Sequence, residues 1–382
     1  MAVTCTAGLL LVPKVALGQD KVDDPCARWT SATLDSAFRA VYDSESLIEV
    51  IRKRGNDAGE ISWQASYVLM ATAAMIRATG DAWYLTRARA LAEAILASTD
   101  AARKVRDWRG TSGHGWSDTR YARDSARIRG PVGDGMVAYG LLVAAEAARE
   151  ILRRERNVSQ AAWWDTVAQQ VHIALTEDRR VWRERDGRMT WPDSFPSVGT
   201  RNDVPINQDL IFAAAEMVLE DLTGVRGPGD DRAKARRFRS TVSLTSAGAV
   251  WPYWWPTPGP GGPDNRAEDV SHAGLDLIYA VRAYKRGWLS DTLMAAFAST
   301  FGQRFEVRRG DMAYFVHGRG QRVPAGLTGQ PAIGLWLLVK RWNPSIRRTF
   351  CGWIDDATSL GSMPKRIEYL LEVALLRESG DR

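Results

Sequence analysis

The chain has 382 residues, 45% hydrophobic and 25% charged, the balance of a globular protein with a large core rather than of a disordered or fibrous one. Its net charge of +6 favours an acidic partner: nucleic acid, an anionic membrane or a polyanionic sugar. Zinc-finger spacing, an aromatic-centred RNA-binding motif and a concentrated Lys/Arg tract are all missing, which argues against nucleic acid, and no run of about 18 apolar residues marks a membrane span.

The N-terminus carries an apolar stretch, Gly8-Leu9-Leu10-Leu11-Val12, and then Ala16-Leu17-Gly18. This reads as a secretory signal over residues 1–18, although no basic segment precedes it. The expectation is a periplasmic or secreted protein with one domain over residues 19–382. Loss of Cys5 with the signal leaves Cys26 and Cys351. Spacing does not decide whether these two pair or stay as free thiols.

From there helical periodicity dominates. A helix, with a possible break, is expected over Ser31–Arg54. Others follow over Ile61–Ala78, Ala82–Ser98, Gly135–Arg153, Ser159–Thr176, Gln208–Leu222, Ala233–Leu244, Glu268–Arg286, Asp291–Phe301, Leu327–Lys340 and Ile367–Arg377. Short β-hairpins fit Val181–Met189, with Asp186-Gly187 as the turn, and Arg304–Phe315. Helices starting near 61, 135, 208, 268 and 327 are apolar on most faces, as buried helices are, whereas their partners are more charged. The buried set recurs about every 60–75 residues, one helical hairpin plus a loop. An all-α fold is expected: an (α/α)n toroid or barrel of about five to six hairpins, with an inner ring sheathed by an outer one.

The loops before the inner helices are long and rich in aromatics, which points to function rather than disorder. The strongest cluster is Trp251-Pro-Tyr253-Trp254-Trp255 followed by Glu268-Asp269-Val-Ser271-His272. Helical spacing puts both carboxylates on the face of His272. A carboxylate beside an imidazole fixes its tautomer and raises its basicity, as acid–base chemistry requires. The competing reading is a helix start, with Asn265 and Glu268 as a capping box. A second set, Arg201 with Asn207, Gln208 and Asp209, offers amides that hold a hydroxyl or donate to a carboxylate; helix capping is again the plain alternative. A third, His114, Trp116, Asp118, Arg120 and Tyr121, precedes Asp134 at a helix start. Tyr314 and His317 form a weaker fourth. Of the 16 Trp, those beside Gly and Pro are candidates for stacking on sugar rings, and packing is the ordinary alternative for each.

No nucleophile elbow, phosphate loop or dinucleotide fingerprint is present. The scattered histidines lack zinc spacing, and a hard cation at Glu268, Asp269 and Asp209 has no loop motif behind it. No metal and no cofactor are expected.

The hairpin repeat, Trp251–Trp255 ahead of Glu268–His272, and Asn207–Asp209 at an inner helix start resemble the α-toroid carbohydrate enzymes, the chondroitin/alginate lyase-like superfamily and the six-hairpin glycosidases. The resemblance spans most of the chain as architecture and only short segments as motifs. It implies a polysaccharide lyase cleaving an acidic, uronate-containing polymer by β-elimination. His272 would be the base, Asn207 or Gln208 the carboxylate neutraliser, and Tyr253 or Tyr121 the acid. Arg120 or Arg201 would grip neighbouring carboxylates. A glycosidase would instead use two carboxylates, Glu268 or Asp269 with Asp209, Asp134 or Asp118. A uronyl C5-epimerase or a non-catalytic glycan-binding toroid would also fit the resemblance.

Overall fold

The computed structural model describes residues 24–120, 122–192, 195–196, 203–227, 229–256, 267–304, 312–318, 322–323, 331–354 and 363–378. It is mostly helical. In chain order come α1 (Ser31–Val41), α2 (Ser44–Arg54), a π-helical turn (Ile61–Ala65), α3 (Ser66–Thr79), α4 (Ala82–Leu96), α5 (Asp100–Arg103), α6 (Pro131–Arg154) and α7 (Val158–Arg179). The hairpin β1 (Arg183–Arg185) and β2 (Arg188–Thr190) leads to α8 (Ile206–Thr223) and α9 (Asp231–Thr241), and β3 (Ser243–Thr245) with β4 (Gly248–Val250) leads to α10 (Val270–Lys285). Then follow α11 (Asp291–Arg304), β5 (Met312–Ala313) paired with β6 (Arg322–Val323), a 3-10 helix (Pro331–Val339), α12 (Ser345–Trp353) and α13 (Met363–Glu378).

Helices α3, α6, α8 and α10 are buried on most faces, because small and apolar residues leave no polar side to turn to water. By contrast α4, α7 and α9 bury one side only. Among the buried set, α3 packs on α6, α6 on α8, α8 on α10, α10 on the 3-10 helix, that helix on α13, and α13 on α3. Glycines set the closest approaches. A Cβ at Gly135 of α6 would stand 2.9 Å from the backbone of Phe212, and one at Gly274 of α10 would stand 2.2 Å from the carbonyl of Ala332. No other residue fits there without moving a neighbouring helix.

The two ends of this helix set differ. The turn ahead of α3 and the first turns of α6, α8 and α10 meet at one cavity. Toward the other end, Arg282 of α10 makes a two-pronged pair with Glu146 of α6, at 2.8 and 2.7 Å. Arg77 of α3 bonds Glu378 of α13 at 2.6 Å and stands 4.0 Å from Glu146. Planar guanidinium forks thus tie four helices together.

Cys26 and Cys351 are paired, with Cα atoms 5.1 Å apart, so the segment before α1 is bonded to α12. Among the described residues no helix is long and apolar enough to cross a membrane.

Several boundaries differ from the periodicity. The Ser31–Arg54 helix is two helices, because Asp43 caps α2. α6 begins four residues before Gly135, where Pro131 supplies a preset φ. α10 is capped by Asp269 rather than by an Asn265 box, and Asn265 lies outside the described residues. α9 stops at Thr241, since Leu244 belongs to a hairpin. The expected Leu327–Lys340 helix is a 3-10 helix over its described part. α12 was not expected.

Candidate active site

A cavity of about 210 Å³ lies where these helix starts converge. Its wall comprises Trp63, Asp118, Ile128, Gly130, Val132, Gly133, Trp191, Phe195, Pro205, Asn207, Gln208, Tyr253, Trp254 and His272. Of the residues singled out from sequence, it brings together Asn207, Gln208, Tyr253, Trp254, His272 and Asp118.

Each is held by local chemistry. Trp63 sits on the π-helical turn, a geometry that recurs at functional sites. Asn56 anchors that turn: its Oδ1 accepts from the amides of Ile61 and Ser62 at 2.9 and 3.1 Å. Trp191 and Phe195 stack face to face, 4.4 Å between centroids and 7° apart, backed by Trp182 and Trp108. Tyr253 is tied to α8, since its carbonyl accepts from the amide of Ile206 at 3.0 Å.

His272 occupies the first turn of α10. Asp269 caps that helix, its Oδ1 accepting from the amides of Ser271 and His272 at 3.0 and 2.9 Å. The other oxygen of Asp269 lies 2.5 Å from His272 Nδ1. One carboxylate therefore both starts the helix and orients the imidazole, leaving Nε2 as the nitrogen for chemistry. The Tyr253 ring stands edge-on to the imidazole, 5.7 Å between centroids.

Beneath this dyad runs a buried acidic relay. Glu268 is fully buried; its Oε1 accepts from the amide of Asp269 at 2.9 Å and its Oε2 from Asn207 Nδ2 at 3.1 Å. Asp276, equally buried, accepts from Trp251 Nε1 at 2.7 Å. Burial pushes both carboxyls well above the usual range; the charges of Asp276 and Asp269 raise Glu268 further, while hydrogen bonds with Trp251 and Glu268 draw Asp276 partly back down. Desolvation is the leading cause for both. Donor atoms of Glu268, Asp269 and His272 all lie within 4.8 Å of one another, a spacing that can hold a metal ion. In this structure those of Asp269 and His272 are satisfied by each other.

Asp118 is 6% exposed and on the cavity wall. Burial pushes its carboxyl up to about 7, against the lowering effect of the Arg120 amide that it accepts from at 2.9 Å.

Other expected site residues are elsewhere. Trp116, Trp251 and Trp255 are core side chains, at most 1% exposed. Their indole N–H groups donate to the Ile95 carbonyl, Asp276 and Asp209 respectively, so none offers a face to a sugar. Asp209 is also buried, and pairs with the fully buried Lys234 at 2.5 Å while accepting from the Met189 amide at 2.9 Å. Asp134 is buried against Arg129, whose guanidinium also meets Asp178 and Glu177. His114 bonds Glu177 at 2.6 Å and is not on the cavity wall. Arg120 is exposed, with its guanidinium 5.4 Å over the ring of Trp63. The segment holding Tyr314 runs against the start of α10, where the Tyr314 carbonyl accepts from Val270 at 2.9 Å. Neither Tyr314 nor His317 lines the cavity. Tyr121 and Arg201 lie outside the described residues.

Sequence reasoning missed Trp63, Trp191, Phe195 and Asp276. Asp276 had a signal: an acid inside the apolar run Gly274-Leu275-Asp276-Leu277-Ile278 needs a buried partner. The chain matches no family model and no curated protein.

Proposed function

We propose that this protein is a polysaccharide lyase that cleaves a uronate-containing polymer by β-elimination in this cavity. The observation that carries the reading is the Asp269–His272 dyad in the first turn of α10, facing the same cavity as Tyr253 and Gln208. Nε2 of His272 takes the C5 proton. The electron pair from that bond forms the C4–C5 double bond as the C4–O bond breaks, and Tyr253 protonates the departing oxygen. Gln208 donates to the uronate carboxylate, which lowers the cost of placing charge beside it. Three helix starts, those of α6, α8 and α10, converge there, and each carries about half a positive charge. Such an end favours an anionic ligand. Trp63, Trp191 and Trp254 supply apolar faces for sugar rings.

We read the helix set as an (α/α) toroid, supported by the packing series that leaves α3 and returns to it through α13. Export to the periplasm or medium is supported by the Cys26–Cys351 bond, a bond type suited to oxidising compartments.

One observation favours a second reading. Asp118, with its carboxyl raised to about 7, is suited to protonate a glycosidic oxygen, as in a hydrolase. Mixing the protein with alginate, glucuronan, glycosaminoglycans and neutral glycans separates the two. A lyase gives an unsaturated product that absorbs in the ultraviolet. A hydrolase gives reducing ends without that absorbance, and this outcome would replace the first reading with the second.

A further inference from the structure

The cavity amide of Asn207 has a fixed polarity. Nδ2 is bonded to Glu268 Oε2 at 3.1 Å, which turns a donor inward. Asn207 Oδ1 is buried and has no donor among the described residues. A buried acceptor left alone bears its full desolvation cost, so a ligand that supplies a donor there gains what the free protein lacks.

Glu268 accepts at both of its oxygens, from the amide of Asp269 and from Asn207 Nδ2. Asp276 Oδ1 is likewise buried without a donor among the described residues.

Given the carbohydrate reading above, on which this rests, we infer that Asn207 recognises a sugar hydroxyl through Oδ1, with Glu268 as the positioning residue that holds the amide in that sense. Carboxylate binding then belongs to Gln208 and not to Asn207. Glu268→Gln keeps the shape but reverses the polarity. Its Oε1 still accepts from Asp269, while Nε2 now donates to Asn207 Oδ1. The Asn207 amide turns over and presents N–H groups to the cavity.

The test is calorimetric titration with methyl glucuronide and its single deoxy analogues, on wild type, Asn207→Ala and Glu268→Gln. In wild type, one deoxy analogue should bind about fivefold more weakly, the worth of a neutral hydrogen bond. That penalty should vanish in Asn207→Ala and shrink in Glu268→Gln, while penalties at the other positions persist. Melting curves establish that each variant is folded, and Asn207→Ala decides the matter alone if Glu268→Gln is not. Equal penalties in wild type and Asn207→Ala would overturn the hydroxyl role yet leave the carbohydrate reading standing. No binding of any glycoside to wild type would overturn both.

Discussion

Asp209 and Lys234 have no exposed side-chain surface and lie 2.5 Å apart, beneath the first turn of α8 that places Asn207 and Gln208. Lys234→Met removes the counter-ion while Asp209 keeps two donors, the Met189 amide and Trp255 Nε1 at 2.9 and 3.1 Å. Breaking a buried pair from one side costs about 3–5 kcal/mol, because the remaining charge stays desolvated. Asp209→Asn should cost a similar amount. The amide oxygen can replace Oδ2, which accepts from both N–H donors, but its NH2 group then takes the place of Oδ1 and faces the ammonium of Lys234, whose next carboxylate, Glu184, stands 3.9 Å away. The double variant removes both charges, so its loss should fall short of the sum by about 2–3 kcal/mol. Urea unfolding followed by tryptophan fluorescence and far-ultraviolet circular dichroism measures all three. Single losses below about 1 kcal/mol, or strict additivity, would refute the claim that this pair is a buried structural strut.

Three further outcomes follow from the same geometry. Serine at both Cys26 and Cys351 opens a loop of 325 residues, costing up to about 5 kcal/mol by chain entropy; reductant should lower the wild-type melting temperature toward that of the variant, and indifference to reductant would show that the bond does not form. Asp118 keeps its proton to about pH 7 when folded and loses it near 3.8 when unfolded. The native state therefore binds more protons between those values, and stability falls as pH rises through them, by roughly 4 kcal/mol for this group alone. Asp100, raised to about 6 by burial, acts in the same direction. The opposite group includes Asp57, Glu146 and Glu177, held low by Arg and His partners, and their stabilisation is lost as pH falls below about 4.5. Melting temperature should peak near pH 5, and a steady rise from pH 5 to 8 would contradict this. Trp63→Ala removes one cavity platform and should weaken binding of a uronate oligosaccharide by about tenfold, from a stacking worth of about 1–2 kcal/mol; an unchanged Kd would take Trp63 out of the site.

The inner helices were legible because an Ala- and Gly-rich stretch, apolar on every side, has nowhere to go but inside. Gly135 and Gly274 confirm the cost of anything larger there. The β3–β4 hairpin was hidden because the periodicity of α9 was carried on to Leu244, a residue of β3, while Gly248 has a positive φ. At the cavity, polar residues at helix starts were visible, since such positions must either cap or function. Which tryptophans face the cavity was not, because that depends on the path of a loop. Trp254 lines the wall, while its neighbour Trp255 and nearby Trp251 point into the core and bond buried acids. Trp63 looked like one more apolar helix residue until the π-helical turn set its direction. The relay through Glu268 and Asp276 joins positions eight residues apart with an asparagine from another helix, a contact that only the packing of α8 on α10 creates.

The proposal of elimination chemistry is tested most directly by following ultraviolet absorbance while wild type and His272→Ala act on a panel of uronate polymers. Wild type should generate the unsaturated product from at least one of them, and His272→Ala, melting at the same temperature, should generate none. Undiminished absorbance growth with His272→Ala, or none from any polymer with wild type, would contradict the assignment.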